Sequence, residues 1–168
     1  MNAVTDTNVT LREAAPDDAR GIITVHRSAV LGVAKERYGE AIAWSWAAPE
    51  TEAHEAILRA AIASDDERML VAMRVGAIVS FGSIIVSTSS LRALYVHADH
   101  IGQGVGSALL SALEAEAKRR GLTRLSMNAS LNAEGFYTRR GYRTLSQGLQ
   151  TLRDGTEMPC LAMAKALA

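Results

Sequence analysis

The stretch from residue 94 to residue 113 constrains this chain more than any other, and it reads LYVHADHIGQGVGSALLSAL. It begins like the end of a buried strand, continues as a short polar crossover, and then opens an apolar helix at Gly102, Gly104 and Gly106. Glycine adopts backbone conformations that a Cβ forbids, and it lets a ligand approach the backbone closely. The amides in the first turn of a helix lack partners within the helix, and the helix dipole adds positive charge there. The stretch therefore predicts a site for a phosphate or a pyrophosphate.

Two other glycine-rich phosphate motifs fit this stretch less well. A dinucleotide-binding fold needs a glycine at position 107, where this chain has Ser107, and an acidic residue about 20 residues further on. Residues 125–128 read Leu-Ser-Met-Asn and offer none. A P-loop needs Lys followed by Ser or Thr after its last glycine, whereas Ser-Ala follows Gly106. A turn that binds nothing is the remaining alternative, and three alternate glycines before an apolar helix disfavour it.

The composition is that of one globular domain. The chain has 168 residues and a mass of 17.9 kDa, which suffices for one hydrophobic core. We therefore predict a single domain over residues 1–168. The 18 basic and 18 acidic residues give zero net charge, so we expect no general binding to nucleic acid or to a membrane surface.

Cysteine usage and the N-terminus bear on the compartment. Cys160 is the only cysteine, so the chain forms neither an intrachain disulfide nor a cysteine metal cluster, and we predict no metal site. A single cysteine also favours a reducing compartment. The first ten residues have neither a basic start nor an apolar run, so we expect no signal peptide and a cytoplasmic location.

Periodicity and turn signals place the other elements. Residues 69–86 are the most apolar stretch, but Arg74, Gly76 and Gly82 interrupt it, so it predicts a hairpin turning at residues 75–76 rather than a membrane helix. Pro159 predicts an edge or a bulge at the start of the last strand. The predicted strands cover residues 9–12, 69–73, 77–85, 91–96, 124–128, 142–149 and 160–165, and the predicted helices begin at Pro16, at 41, at 50 and at the glycine loop.

The region between the first helices carries most of the polar and aromatic candidates. His26 lies on the apolar stripe of the first helix, where a packed histidine is more common than one that faces substrate. Trp44, Trp46 and Tyr38 concentrate aromatic surface in a chain that is only 5% aromatic. Both tryptophans are expected in the core, with the wall of an acceptor pocket as the alternative. His54 is expected to be a solvated helix residue.

The glycine stretch resembles the acyl-CoA-binding motif of the GNAT acetyltransferases. That family shows an apolar strand, then Arg or Gln, two residues, Gly, any residue, and Gly or Ala. Gly104 and Gly106 match the two small positions, and Leu94 and Val96 match the strand that pairs with the pantetheine arm. Ile101 stands at the Arg/Gln position, so one side-chain contact to the CoA phosphates is lost while the backbone amides remain.

A second block, residues 130–142, resembles the GNAT segment that follows the next strand. Ser130 stands at the common Asn position, and Asn132 lies nearby to take its hydrogen bond. Phe136 is expected in the core. The following tyrosine, Tyr137, often lies near the CoA sulfur in the family. Ala133, Phe136, Tyr137, Gly141 and Tyr142 match the block in register.

The resemblance implies a GNAT-like α/β (α+β) fold, with a mixed, mostly antiparallel central sheet of about six to seven strands flanked by helices. It also implies an N-acetyltransferase with acetyl-CoA as acyl donor and with Tyr137 as the acid that protonates the departing thiolate. The strand end at Tyr95 and Val96 would supply a backbone donor to the oxyanion. The CoA-binding positions are Leu94, Tyr95, Val96, Gly102, Gln103, Gly104, Val105, Gly106, Ser107 and Asn132.

The expected acceptor is a primary amine of a small molecule, a protein N-terminus or a lysine. Glu40, His97, His100 or a water held by one of them are the candidate bases. A CoA-binding regulatory or interaction module without catalysis is the alternative function. A toxin that acetylates aminoacyl-tRNA shares the fold but would need a basic face, which zero net charge does not indicate. A homodimer is compatible with the sequence.

Overall fold

The computed structural model describes residues 8–168. Residues 1–7 lie outside the described residues. They belong to the N-terminal segment in which the sequence predicts no signal peptide. One seven-stranded sheet forms the centre, in the order β1-β2-β3-β4-β5-β7-β6. The strands are β1 (Thr10–Glu13), β2 (Glu67–Arg74), β3 (Ala77–Ile85), β4 (Ser90–Val96), β5 (Arg124–Ser130), β6 (Arg143–Thr151) and β7 (Glu157–Ala166).

The sheet confirms the predicted fold class. In the described part of the chain, five of its six neighbouring strand pairs are antiparallel, and only β4 and β5 run parallel. The hairpin of β2 and β3 turns at Val75 and Gly76, as expected, with φ of 49° and 77°. Positive φ at both central residues matches the right-handed twist of the flanking strands.

Within residues 8–168, six α-helices flank the sheet. They are α1 (Ala19–Ala29), α2 (Lys35–Tyr38), α3 (Glu40–Trp46), α4 (Glu52–Ile62), α5 (Val105–Arg119) and α6 (Glu134–Thr138). A π-helical segment, Val30–Ala34, joins α1 to α2, and there the amide of Lys35 reaches back to the carbonyl of Val30. Such a wide turn inside a helix often lies at a functional site.

Apolar side chains fill the space on both faces of the sheet. Ile22 and Val25 of α1 pack against Met69, Val71 and Phe81 on one face. On the other face, α5 buries one stripe of its surface against β4, β5 and β7. The sequence predicts such a stripe from the helical spacing of Val105, Leu109, Ala112, Leu113 and Ala117, and Leu109, Leu113 and Ala117 are fully buried.

The sheet opens between its two halves. The parallel strands β4 and β5 share a single register pair, Ser90 with Ser126. Beyond it, β4 pairs only with β3, and β5 pairs only with β7. The register of β3 against β4 shifts between Ser83 and Ile84, which leaves Arg92 as an extra residue in β4. A bulge bends its strand and increases the local twist, and this one lies where β4 leaves β5.

The edge expected at Pro159 is present at the start of the last strand but not along the whole strand. Strand β7 lies between β5 and β6 and is not an edge strand. Pro159 fits because β5 pairs with β7 only from Cys160 onward, so Pro159 faces a partner on the β6 side alone.

None of the helices within residues 8–168 has the length and the apolar composition that a membrane span requires.

Helix α4 also differs from its prediction. The helical spacing of residues 50–63 predicts an apolar stripe of Ala53, Ile57, Ala60 and Ala61, but Ile57 is 61% exposed. The face that packs against the sheet cluster instead carries Leu58, Ala61 and Ile62. His54 was expected in solvent, but it is half-buried. Alanines made the two faces of this helix similar in hydropathy, so the pattern did not decide between them.

Candidate functional site

The glycine loop has the backbone that the sequence predicted. Gly102 has φ of 73°, and Gly104, which precedes the first turn of α5, has φ of 79°. These left-handed conformations favour glycine. Gly106 lies inside the first turn for a different reason, since a Cβ there would come within 3.3 Å of both Phe136 and Val96. The start of α5 thus packs closely against Phe136 and Val96, and no side chain caps it.

Side-chain hydrogen bonds connect the glycine loop to Arg74 and to the turn that precedes it. The Gln103 side chain accepts a hydrogen bond from Arg74 and donates one to the carbonyl of Asp99 at 3.1 Å. Arg74 also lies 3.0 Å from Nδ1 of His100. Val105 is buried against the sheet, so only its backbone is available to a ligand. Arg74 thus brings a guanidinium to the loop from the end of β2.

A second guanidinium at the helix start was not predicted. Arg140 donates one hydrogen bond to the hydroxyl of Ser107 and another to the carbonyl of Phe136 at 2.8 Å. Its guanidinium carbon lies 3.8 Å from the centroid of the Phe136 ring. Burial lowers the pKa of Arg140, and neighbouring Arg139 adds to the effect. The Arg-Arg pair after Tyr137 was the available signal, but a distant contact to Ser107 cannot be read from it.

A mostly apolar cavity of roughly 220 Å³ begins at the first turn of α5, and we call it the α5 cavity. Val30 and Ala34 of the π-helical segment line one wall, and Phe136 lines another. Ile101 also lines it, in place of the expected Arg or Gln. Of the predicted site residues, the α5 cavity brings together Leu94, Tyr95, Val96, Gly106, Asn132 and Tyr137.

The open side of β4 faces this region with free backbone positions. The amide of His97 donates to the carbonyl of Val79 at 2.8 Å, and the carbonyl of Tyr95 accepts from the Ser80 hydroxyl at 2.7 Å. Both groups therefore point toward β3. Backbone groups alternate in direction along a strand, so the amides of Leu94 and Val96 point into the gap left by β5.

Tyr137 is buried, and Phe136 is not, which reverses part of the prediction. Tyr137 is 6% exposed, and its ring packs edge-on against Phe136 and Tyr142 at 5.1 and 5.5 Å. Burial raises the pKa of Tyr137 well above its ordinary range, and Tyr95 adds to the rise. Phe136, expected in the core, is half-buried: it packs against the edge of the core, and the guanidinium of Arg140 covers its ring.

Tyr95 and Trp46 lie where the α5 cavity meets a second cavity. Their ring centroids are 6.0 Å apart, and both line both cavities. Burial raises the pKa of Tyr95 to about 12, against a hydrogen bond with Trp46. Trp46 thus matches the pocket-wall alternative. Trp44, expected in the core, is 57% exposed with Arg27 over its ring.

The second cavity, of roughly 310 Å³, lies between α4 and the sheet, and we call it the α4 cavity. His26 lines it, and its ring lies 4.5 Å from the ring of Tyr95. Burial lowers the pKa of His26 to about 4, and the positive charge of Arg153 adds to the effect. The amide of Ala48 donates to its Nδ1 at 3.2 Å. His26 is therefore neutral at neutral pH, with its proton on Nε2.

A buried carboxylate also lines the α4 cavity. Glu67 is 5% exposed and accepts a hydrogen bond from the Ser83 hydroxyl at 2.7 Å. Its other oxygen lies 3.4 Å from the guanidinium of Arg92, the extra residue in β4. Sequence patterns did not single out Glu67, because a charged residue at the start of a strand usually faces solvent.

The three candidate bases lie elsewhere. Glu40 is exposed and pairs with Lys35 at 2.6 Å. His97 accepts a hydrogen bond from the amide of Asp99, and its ring lies 5.8 Å from that of His100, beside the glycine loop. None of the three lines the α5 or α4 cavity. Among residues 8–168, no group of three His, Cys, Asp or Glu side chains is placed to hold a metal ion.

Comparison with known proteins gives a consistent result. Residues 33–166 match the family described as the acetyltransferase (GNAT) domain. A crystal structure from Rhodopseudomonas palustris, titled a GCN5-related N-acetyltransferase, aligns with a TM-score of 0.84 and 30% identity over 94% of this chain and 95% of that chain. The PaiA N-acetyltransferase from Thermoplasma acidophilum, solved with coenzyme A, aligns with a TM-score of 0.75 and 19% identity over 94% and 98%.

A curated relative shares more limited sequence. An uncharacterised acetyltransferase from Streptococcus pyogenes serotype M3 is 33% identical over 92 residues, which cover 53% of this chain and 62% of that protein. The chain thus spans less than two thirds of the length of the curated relatives it matches.

Proposed function

Because this chain belongs to the GNAT acetyltransferase family, we propose that it transfers the acetyl group of acetyl-CoA directly to a primary amine. The observation that carries the proposal is the α5 cavity. It extends from a glycine-opened helix start, along the open side of β4, to the buried Tyr137. The phosphates, the pantetheine arm and the thioester of acetyl-CoA would each contact a suitable surface along this cavity.

The residues at the helix start fit the phosphates of CoA. Gly104 leaves the first-turn amides of α5 open to an anion, and the helix dipole favours negative charge there. Arg140 lies against the first turn through Ser107, and its guanidinium suits phosphate geometry. Arg140 thereby takes over the charge that an Arg at position 101 would supply. No acidic side chain lies within 4.0 Å of the Arg140 guanidinium in the described part of the chain.

The walls of the α5 cavity fit the pantetheine arm. Val30, Val96 and Phe136 provide apolar surface, and the amides of Leu94 and Val96 provide donors along one side. Asn132 lies at the rim of the same cavity. The absence of a side chain at Gly106 keeps this space open, because a Cβ would already meet Phe136 and Val96.

Transfer itself needs a proton donor and an oxyanion donor. The amine forms a C–N bond to the thioester carbonyl, the C–S bond breaks, the amine loses a proton, and the thiolate gains one. A tyrosine is protonated at neutral pH, and burial raises the pKa of Tyr137 further, so its hydroxyl carries a proton for the thiolate. A thiol has a pKa of about 8.5, so the thiolate is a tolerable leaving group. Protonation by Tyr137 therefore helps the C–S bond to break but is not strictly required. The β4 amides supply donors to the carbonyl oxygen.

The acceptor would reach the thioester from the α4 cavity. A smaller cleft of roughly 80 Å³ between β4 and β5 shares Tyr137 with the α5 cavity and Arg92 with the α4 cavity. Tyr95 and Trp46 line all three spaces. The two substrates would therefore meet beside Tyr95, where β4 has no partner strand.

An acceptor screen tests this proposal. The protein is incubated with acetyl-CoA and a panel of amines, free thiol is detected, and products are identified by mass. We expect amine-dependent thiol release together with an N-acetyl product. Binding of acetyl-CoA without release on any amine would instead favour a non-catalytic CoA-binding module.

A further inference from the structure

The α4 cavity holds an arginine that the transfer reaction does not use. Arg153 lies in the turn between β6 and β7 and lines the cavity wall. Its guanidinium donates to the carbonyl of Ala47 at 3.3 Å. Within residues 8–168, no carboxylate lies within the 4.0 Å of an ion pair with Arg153.

The nearest acid along the chain does not neutralise this charge. Asp154 accepts hydrogen bonds from the amide of Thr156 at 3.0 Å and from the side chain of Ser45. Thr156 also donates to the Ser45 hydroxyl at 3.3 Å. These contacts fix the β6–β7 turn on α3 and hold Arg153 over the cavity. Its positive charge acts on both His26 and His54 across the cavity.

The other charges in the α4 cavity balance each other. Glu67 faces Arg92 at 3.4 Å, and His26 is neutral at neutral pH. Arg153 therefore leaves the cavity with a surplus positive charge. Such a surplus attracts an anionic group and disfavours the protonated form of an amine brought beside it, and a neutral amine is the form that attacks a thioester.

Apolar side chains form another part of the wall. Ile22 and Leu58 line the helix side, and Met69 and Phe81 line the sheet side. A cavity of roughly 310 Å³ suits a small molecule, because ligand pockets of about 300 to 1,000 Å³ enclose small ligands. The wall thus offers a place for an apolar body between the amine and the anionic group.

We propose that the acceptor is a small amino-acid-like molecule, with an apolar side chain and a free carboxylate that Arg153 binds. This inference rests on the proposed function and adds the class of its second substrate. The amine would lie beside Tyr95, the apolar body against Phe81, and the carboxylate at the β6–β7 turn.

Three matched acceptors separate the contributions. Leucine carries the amine, the apolar side chain and the carboxylate, leucinamide lacks the negative charge as a peptide N-terminus does, and 3-methylbutylamine lacks the whole group. We expect kcat/KM to fall by about tenfold or more from leucine to leucinamide, as loss of a charge-assisted hydrogen bond implies. We expect 3-methylbutylamine to be no better than leucinamide.

The Arg153→Gln variant tests whether Arg153 is the residue that binds the carboxylate. It should lower kcat/KM for leucine to near the leucinamide value, leave leucinamide unchanged, and leave the affinity for acetyl-CoA unchanged. Arg143→Gln, at an exposed arginine outside the α4 cavity, is the matched control and should change none of these values.

The outcomes distinguish the two proposals. Equal efficiency with all three amines, or an equal loss on leucine and leucinamide in Arg153→Gln, overturns the carboxylate inference and leaves acetyl transfer standing. Transfer to no amine at all, despite acetyl-CoA binding, overturns the proposed function and the inference with it.

Discussion

The α5 and α4 cavities share Tyr95 and Trp46, yet they are built in different ways. Apolar side chains line the α5 cavity, but backbone features lie at its edge: the helix start behind a left-handed glycine and the unpaired edge of β4. The α4 cavity is made of side chains from α1, α3, α4, four strands and the β6–β7 turn. Backbone features recur in sequence as a short motif, whereas converging side chains do not. The residues beside the α5 cavity can therefore be identified from a local sequence motif. Those of the α4 cavity can be identified only once the fold is known.

This difference predicts that donor and acceptor functions separate by mutation. Substitutions around the α5 cavity should change acetyl-CoA binding or the chemical step. Substitutions in the α4 cavity should leave acetyl-CoA affinity unchanged.

Gly104→Val should have the largest effect on the donor side. Gly104 has φ of 79°, and a left-handed conformation costs an L-residue about 1–2 kcal/mol, so the loop should rearrange and withdraw its amides. Loss of two charge-assisted hydrogen bonds predicts about 100-fold weaker acetyl-CoA binding, measured by calorimetry.

Gly121→Val is the matched control for Gly104→Val. Gly121 follows the other end of α5, has φ of 80°, and faces open space where a Cβ would be added. The substitution should cost similar stability and leave acetyl-CoA affinity unchanged. Equal losses in the two variants would mean that the helix, not the loop, decides binding.

Tyr137→Phe should affect chemistry without affecting binding. The ring and its packing remain, so acetyl-CoA affinity should persist, while single-turnover transfer should slow by about 100-fold or less. Tyr142→Phe is the control, because its hydroxyl bonds to Glu114 at 3.0 Å and lines neither the α5 nor the α4 cavity. A wild-type single-turnover rate in Tyr137→Phe would show that the proton goes to water.

His26 should give the acceptor side a pH-dependent stability. Its pKa falls from 6.5 to about 4 on folding, so the unfolded chain binds a proton that the folded chain excludes. The stability is complete above the unfolded pKa and is lost as the pH falls toward about 4. At about pH 5 the loss is about 2 kcal/mol.

Urea unfolding of wild type and His26→Gln measures that difference. Between about pH 7.5 and about pH 5, the variant should lose about 2 kcal/mol less than wild type. Acetyl-CoA affinity at neutral pH should match wild type. The same pH loss in both proteins would mean that His26 titrates normally.

Arg140→Gln should have the smallest effect. Arg140 adds one guanidinium to a site that backbone amides already form, so we expect about tenfold weaker acetyl-CoA binding, with the difference shrinking at high salt. Arg139→Gln, at the neighbouring exposed residue, is the control and should change affinity little. Equal affinities in the two variants would remove Arg140 from the phosphate site.

Sequence patterns singled out the residues proposed for the donor side because they lie in local blocks. The strand, loop and helix of residues 94–113 and the block around Tyr137 each lie within about 20 residues, and the structure joins them in one cavity. Arg140 was missed because its partner, Ser107, lies 33 residues away. Phe136 was assigned to the core because a helical pattern does not reveal that an arginine covers the ring.

The acceptor side escaped prediction for the same physical reason. Glu67, His26 and Arg153 are far apart in the chain, and only the turn of β6 and β7 onto α3 brings the last beside the other two. The bases expected from residue type, Glu40 and His97, lie outside both cavities. Residue type alone, without the sheet topology, does not predict which side chains line the cavities.

Thermal unfolding with acetyl-CoA, NAD or ATP tests the central claim, a backbone-built donor site, most directly. A ligand that binds only the folded state stabilises it by about 2.7 kcal/mol at about 100 times its Kd. We predict that acetyl-CoA raises the Tm of wild type and of His26→Gln alike, that Gly104→Val loses most of the shift, and that NAD and ATP do much less. A shift with NAD and none with acetyl-CoA would contradict the account.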